Sequence, residues 1–310
     1  MLVLAALMLA SCAPRGETLT RPFPAVSVPS VLDGAERGEY VISHYWNKFL
    51  GTENLFPSRD SSIINGVTRE NVEQAAADFA GIISGAPLSL TDRVMKNLAT
   101  RLCDYCAVDT ASNALKEFPS ILEKYFYNPN SPLRDEDIFG PFAEKLSGSP
   151  LLDSASRASY ADIARRAGLN RRGSTAADFR FLDKKGRRHS LYGIRAEYII
   201  LFFSNPGCTA CKEIIDALNT SEEIRSLIAG GHIAVLNIYI DEELDEWYKY
   251  LHVYPDEWYN GYDDNHIIRD DELYDVRAIP SLYLLGADKT VIMKDVPTER
   301  MMQFIAGIIS

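Results

Sequence analysis

Residues 197–213 read E-Y-I-I-L-F-F-S-N-P-G-C-T-A-C-K-E. The run through Phe203 is β-branched and aromatic, which predicts a buried strand. Asn-Pro-Gly is turn chemistry, and beyond the cysteines the pattern becomes helical. Cys208 and Cys211 therefore stand where a strand gives way to a helix. A thiol at a helix N-terminus meets unpaired backbone N–H groups and the positive end of the helix dipole, which favour the thiolate. A second thiol one turn on can resolve the mixed disulfide formed when that thiolate attacks a substrate. Lys212 adds a nearby positive charge, and Glu213 is either a proton relay or a solvated helix carboxylate. The pair also admits half a metal site, a peroxidase cysteine with a neighbour, or a structural bridge.

The rest of the sequence bears on that choice. Zinc needs two further ligands, but His44, His189, His232, His252 and His266 are scattered without ligand spacing. No metal is expected. Structural bridges usually tie distant segments, because longer loops gain more from closure. A redox-inactive binding module stays open as the alternative function. The other pair, Cys103 and Cys106, falls near the end of an expected helix. There, positions i and i+3 lie about 5–6 Å apart at Cβ, wider than the roughly 3.5–4.5 Å of a disulfide. Buried free thiols are expected, with a second redox pair as the sharper alternative and a local bridge as the third.

With 310 residues, 46% apolar and 24% charged, the chain has room for about two globular domains. Its net charge of −11 argues against nucleic acid as a partner. M-L-V-L-A-A-L-M-L-A-S-C at 1–12 is apolar but too short to span a bilayer, and reads as an export signal. Residues 13–30 carry Pro and Ser and suit a tether. Setting Cys12 apart leaves two pairs of cysteines, and an exported chain lives where disulfides persist.

From 31 to 167 the pattern is helical, with elements around 35–50, 90–102, 111–127, 135–147 and 153–167, and Thr68 as an N-cap candidate. Beyond about 170 it changes. Residues 178–183 and 188–192 flank Lys184-Lys185-Gly186 as a hairpin. Strands follow at 198–203, 232–240, 281–285 and 290–296, and helices run from the cysteines to about 219, from a capping box at Thr220/Glu223, and over 298–309. The acidic, aromatic stretch 241–277 reads as a solvated crossover whose Trp247 and Trp258 pack on the sheet. Asp263-Asp264-Asn265 lacks the spacing of a calcium loop. The expected architecture is an all-α N-terminal domain before an α/β domain with helices on both faces of its sheet.

Leu9-Ala10-Ser11-Cys12 resembles the lipobox of bacterial lipoproteins, which implies lipidation of Cys12 and an anchor in the cell envelope of a Gram-negative bacterium, facing the periplasm. Arg277-Ala278-Ile279-Pro280-Ser281 stands just before a core strand. With the C-x-x-C motif it makes 172–310 resemble the thioredoxin superfamily, whose mixed sheet the resemblance implies here. That resemblance implies a cis Ile279–Pro280 bond, with these residues as the backbone platform for substrate. It also implies Cys208 as nucleophile and Cys211 as resolving thiol. A-A-D-F-R-F-L-D-K-K-G-R-R-H-S-L looks like the opening of TlpA-like membrane-tethered reductases, with Ala177 in place of a proline. Thioredoxin has a buried carboxylate where this chain has Leu201-Phe202-Phe203, so another proton acceptor, or none, serves Cys211. P-G-C-T also resembles some peroxiredoxins, but Leu201 and Asn205 replace that signature's proline and threonine. H-Y-W-N-K-F (44–49) and Y-N-P-N-S-P-L-R-D-E-D (127–137) resemble a helical domain of unknown function that precedes thioredoxin-like domains in lipoproteins of gut anaerobes. Together these imply an exported thiol–disulfide oxidoreductase. It would act on protein disulfides or thiols with no dissociable cofactor and draw electrons from a membrane donor.

Overall fold

The computed structural model of the protein describes residues 20–58 and 60–309. Cys12, the apolar segment around it and the start of the tether lie outside the described residues. Among the described residues six helices make the first part: α1 (Gly34–His44), α2 (Arg69–Ile83), α3 (Leu88–Val108), α4 (Ala114–Phe126), α5 (Glu136–Ser147) and α6 (Ser154–Ala167). Several begin where a short polar side chain can satisfy an orphan backbone N–H. Thr68 accepts from Asn71 N, Asp135 from Ile138 N, and Asp153 from Ser156 N. Their buried faces close over an aromatic cluster in which Trp46 meets Phe118 edge-on at 4.7 Å between ring centroids. A small ladder, β1 (Ile63–Ile64) with β2 (Val67–Thr68), interrupts the helices. Its turn is Asn65-Gly66, both at positive φ (48° and 74°), as a tight hairpin requires.

The second part is a seven-stranded mixed sheet. Its strands are β3 (Arg180–Asp183), β4 (Arg188–Ser190), β5 (Tyr198–Phe203), β6 (Ile233–Tyr239), β7 (Tyr259–Tyr262), β8 (Ser281–Gly286) and β9 (Val291–Lys294). They lie in the order β4-β3-β7-β6-β5-β8-β9. β5, β6 and β7 run parallel, and the remaining pairs are antiparallel. The central strands are apolar throughout because both their faces are covered. Ile200, Phe202 and Val235 pack against Ile214, Ile215 and Leu218 of α7 (Thr209–Thr220) and Met301 and Ile305 of α11 (Thr298–Ile309). On the opposite face, Ile199, Leu201 and Leu236 meet Phe179, Tyr274 and Ile268. Ile268 belongs to the short α10 (Ile267–Asp270), a helix on that face.

Two expectations are corrected. Stretch 241–277 is not merely a crossover: besides α9 (Leu244–Tyr250) it contributes β7, which joins the N-terminal hairpin to the central strands. Trp247 and Trp258 are buried as expected, and Asp263 is buried too, its Oδ2 accepting from Ile268 N at 2.8 Å. The cap of α8 (Glu222–Ala229) is Ser221, which accepts from Ile224 N, and not Thr220, whose hydroxyl donates to Asp216 O within α7.

Candidate active site around the Cys208–Cys211 disulfide

β5 ends at Phe203, and Gly207 turns the chain with φ at 72°, a conformation that costs any residue bearing a Cβ. Cys208 then caps α7 in extended backbone geometry (φ −72°, ψ 112°), its Sγ accepting from Cys211 N at 3.1 Å. The two cysteines form a disulfide with their Cα atoms 5.2 Å apart. Their surroundings differ. Cys208 is half-buried, whereas Cys211 is 1% exposed and packs among Ile214, Ile215 and Leu218.

Sheet register brings the second motif to the first. Phe203, the last residue of β5, lies opposite Ser281, the first of β8. The Ile279–Pro280 bond, which is cis, therefore sits across from the start of the cysteine loop. Next to Pro280 opens a groove of about 310 Å³ lined by Ala210, Glu213 and Ala217 of α7, by Pro280, and by Val296 before α11. Glu213 is exposed on that groove. Lys212 does not serve Cys208 as expected, because its ammonium is held by both Asp216 oxygens at 2.5 and 2.6 Å.

No carboxylate stands on the inner face of β5. The alternation that points Ile200 and Phe202 toward α7 also points Ser204 that way, and Asn237 follows Val235 on β6. Both are fully buried, the Ser204 hydroxyl donating to Asn237 Oδ1 at 2.5 Å. Tyr254 lies 3.5 Å from Ser204 Oγ, and burial raises its phenol above the ordinary range. Neutral polar groups, and no carboxylate, thus occupy this end of β5 and β6.

The cis-proline segment is also gripped from the helical part, which sequence reasoning missed. Arg277 donates to Tyr127 O at 2.6 Å and to Glu136 Oε1, and its guanidinium stacks 3.6 Å from the Tyr127 ring centroid. Glu136 Oε2 lies 3.2 Å from Lys294 Nζ, which donates to Leu169 O at 2.8 Å. Asp275 meets Arg277 at 3.1 Å and Arg166 at 3.4 Å. In the sequence these charges look solvated, and only the run Asp135-Glu136-Asp137 set against Arg171-Arg172 hints at pairing.

Cys103 and Cys106 lie inside α3 and are both free. Cys106 is buried, which pushes its thiol up to about 12, and Cys103 Sγ lies 3.4 Å from Ser149 Oγ. Among the described residues no group of three or more His, Cys, Asp or Glu could hold a metal ion, and no helix is long and apolar enough to cross a membrane.

A mixed sheet carrying C-x-x-C at a helix N-terminus and a cis proline across from it defines a thioredoxin-like protein with a helical domain in front. The chain belongs to the family of the domain of unknown function DUF5106, whose model matches residues 10–170, just over half its length. It is similar to a thioredoxin-like protein from Bacteroides caccae ATCC 43185, at 33% identity, covering 92% of this chain and 98% of that one with a TM-score of 0.79. It is also similar to the C-terminal domain of an uncharacterized protein from Bacteroides fragilis NCTC 9343 (45% identity, 45% of this chain and 99% of that one, TM-score 0.44). A third similar structure is the thioredoxin domain of a thiol-disulfide oxidoreductase from Bacteroides vulgatus (18% identity, 45% and 98%, TM-score 0.40). Comparison with curated proteins gave no significant match.

Proposed function

We propose that the protein is an exported thiol–disulfide oxidoreductase that reduces disulfides in protein or thiol substrates. The observation that carries this reading is the asymmetry of the pair, with Cys208 half-buried at the start of α7 and Cys211 enclosed beneath it. In the reduced enzyme the Cys208 thiolate attacks one substrate sulfur, the substrate S–S bond breaks, and one substrate thiolate leaves. Cys211, as thiolate, then attacks Cys208 Sγ and expels the second. Two electrons pass from the pair to the substrate, and the Cys208–Cys211 disulfide re-forms. Ile279 and Pro280 offer backbone to an extended substrate segment beside that sulfur. A membrane dithiol donor restores the thiols, with Cys12 carrying the lipid that keeps the enzyme in the cell envelope, on the periplasmic side. The chemistry requires no dissociable cofactor.

The test is the reduction potential of the pair, by thiol trapping and mass spectrometry across a redox-buffer series, repeated with Cys103 and Cys106 replaced by Ser. A midpoint near or below about −250 mV supports a reductase, and one near about −120 mV an oxidant that installs disulfides. A pair that never cycles would leave a binding scaffold. Hydroperoxide consumption by Cys208 alone would make it a peroxidase.

A further inference from the structure

The groove beside the disulfide has walls from both parts of the chain. Facing α7 across it is a loop of the helical part, with Ser131, Pro132 and Arg134 in the lining. This loop is fixed. Ser131 Oγ donates to Tyr125 O at 2.6 Å, and Arg134 Nη1 to Pro129 O at 2.7 Å. Arg134 also donates through Nε to Asp295 O at 3.2 Å and pairs through Nη2 with Asp295 Oδ1 at the same distance. Asp295 Oδ1 in turn accepts from Ser281 Oγ at 2.6 Å, one residue past Pro280. The far wall is thus tied to the proline that forms part of the floor.

Charge in the groove is one-sided. Arg134 and Asp295 neutralise each other, whereas Glu213 and Glu299 are exposed and have no ion-pair partner among the described residues. The lining also carries apolar side chains, among them Pro132, Ile214, Leu282 and Val296. At about 310 Å³ the space suits a few side chains of an extended chain.

We propose that the helical domain is part of the substrate reader. The groove takes an extended polypeptide segment with a Lys or Arg beside its disulfide-bonded cysteine, the cation meeting Glu213 and Glu299 while a neighbouring apolar side chain rests on Pro132. This rests on the dithiol reading above, and the experiment separates the two. The Cys211→Ser chain, reduced, is mixed with two disulfide-linked peptides differing only in Lys or Glu beside the cystine, and separately with a small-molecule disulfide. The rate of mixed-disulfide formation at Cys208 is followed by mass spectrometry.

The Lys peptide is expected to react about tenfold faster at low ionic strength, two exposed pairs contributing a few-fold each. That gap closes near 1 M salt, where screening acts within about 3 Å. Glu299→Lys narrows or inverts the preference. Pro132→Trp, which fills the groove from the helical side, lowers the ratio of peptide rate to small-disulfide rate by about fivefold or more. Equal rates for the two peptides, or an unchanged ratio in Pro132→Trp, overturn the inference while leaving the dithiol reading intact. Absence of reaction with every disulfide, the small one included, overturns both.

Discussion

Replacing Glu136 by Gln tests the joint between the two domains most directly. The side chains of Glu136 and Lys294 are 2% and 3% exposed, and Arg277 is 19% exposed. Glutamine keeps the volume but removes the negative charge that both cations face. Breaking a buried pair by neutralising one partner costs about 3–5 kcal/mol, because the other charge stays buried. Here the cations keep other partners: Arg277 retains Asp275 and Tyr127 O, and Lys294 retains Ala167 O and Leu169 O. The lower end applies, about 3 kcal/mol, or a fall of about 6–12 °C in Tm for a cooperative unit of 150–250 residues. Urea and thermal unfolding of the full chain measure it. The exposed Lys96–Glu144 pair (47% and 62% exposed) supplies the control, since Glu144→Gln is expected to cost under about 1 kcal/mol. If Glu136→Gln lost no more than this control, the network would be ornamental and the argument for a fixed joint would fail.

Reduced protein alkylated at pH 8 is expected to lose Cys208 first. A thiol pushed up to about 12 by burial, as Cys106 is, carries about a thousandth of the thiolate of an ordinary one, so peptide mapping that found both modified together would contradict its burial. Gly207→Ala, at a φ of 72°, is expected to cost about 1 kcal/mol in the oxidised chain, read from the urea midpoint; no loss would mean the turn is not held as described. Burial raises the Asp135 carboxyl from 3.8 to about 6, against the opposing pull of Arg172. A raised folded-state value favours the protonated form in the folded chain, so this stabilisation is full below about 4 and lost as pH rises through about 6. Asp135→Asn, which keeps a capping side chain, is expected to flatten that slope in unfolding curves between pH 4 and 7; an unchanged slope would place the titration elsewhere.

The fold was legible wherever local chemistry and burial agree. The central strands could be read because a strand covered on both faces must be apolar, and the cysteine loop because turn residues stand between a strand and a helix. β7 was not legible. Y-N-G-Y has neither a clean alternation nor an apolar run, and its glycine answers a tertiary demand: a Cβ on Gly261 would stand 2.8 Å from Leu182 O of the neighbouring strand. The Ser204–Asn237 pair was hidden for a related reason. A serine after a strand reads as the start of a loop, and only the parallel register of β5 on β6 sets it beside a buried asparagine. Arg277 illustrates the limit most sharply, since its partners Tyr127 and Glu136 are 150 and 141 residues away.

The charged joint between the domains raises a question of its own, because an apolar interface of the same size is often at least as stable as buried ion pairs. What guanidinium forks supply is orientation. Arg172 spans two carboxylates, donating through Nη2 to both oxygens of Asp135 at 2.7 and 2.8 Å and through Nε to Asp137 Oδ2 at 2.7 Å, and Arg277 is held by a ring face, a carbonyl and two carboxylates at once. Apolar faces can slide by a fraction of an ångström at little cost, whereas a fork that shifts loses directional bonds and leaves a charge unpaired. The groove is lined by α7, by the 295–299 segment and by the 131–134 loop of the helical part, so its width depends on the relative position of the two domains. A joint that resists sliding keeps that width constant, which a site reading side chains on both walls requires.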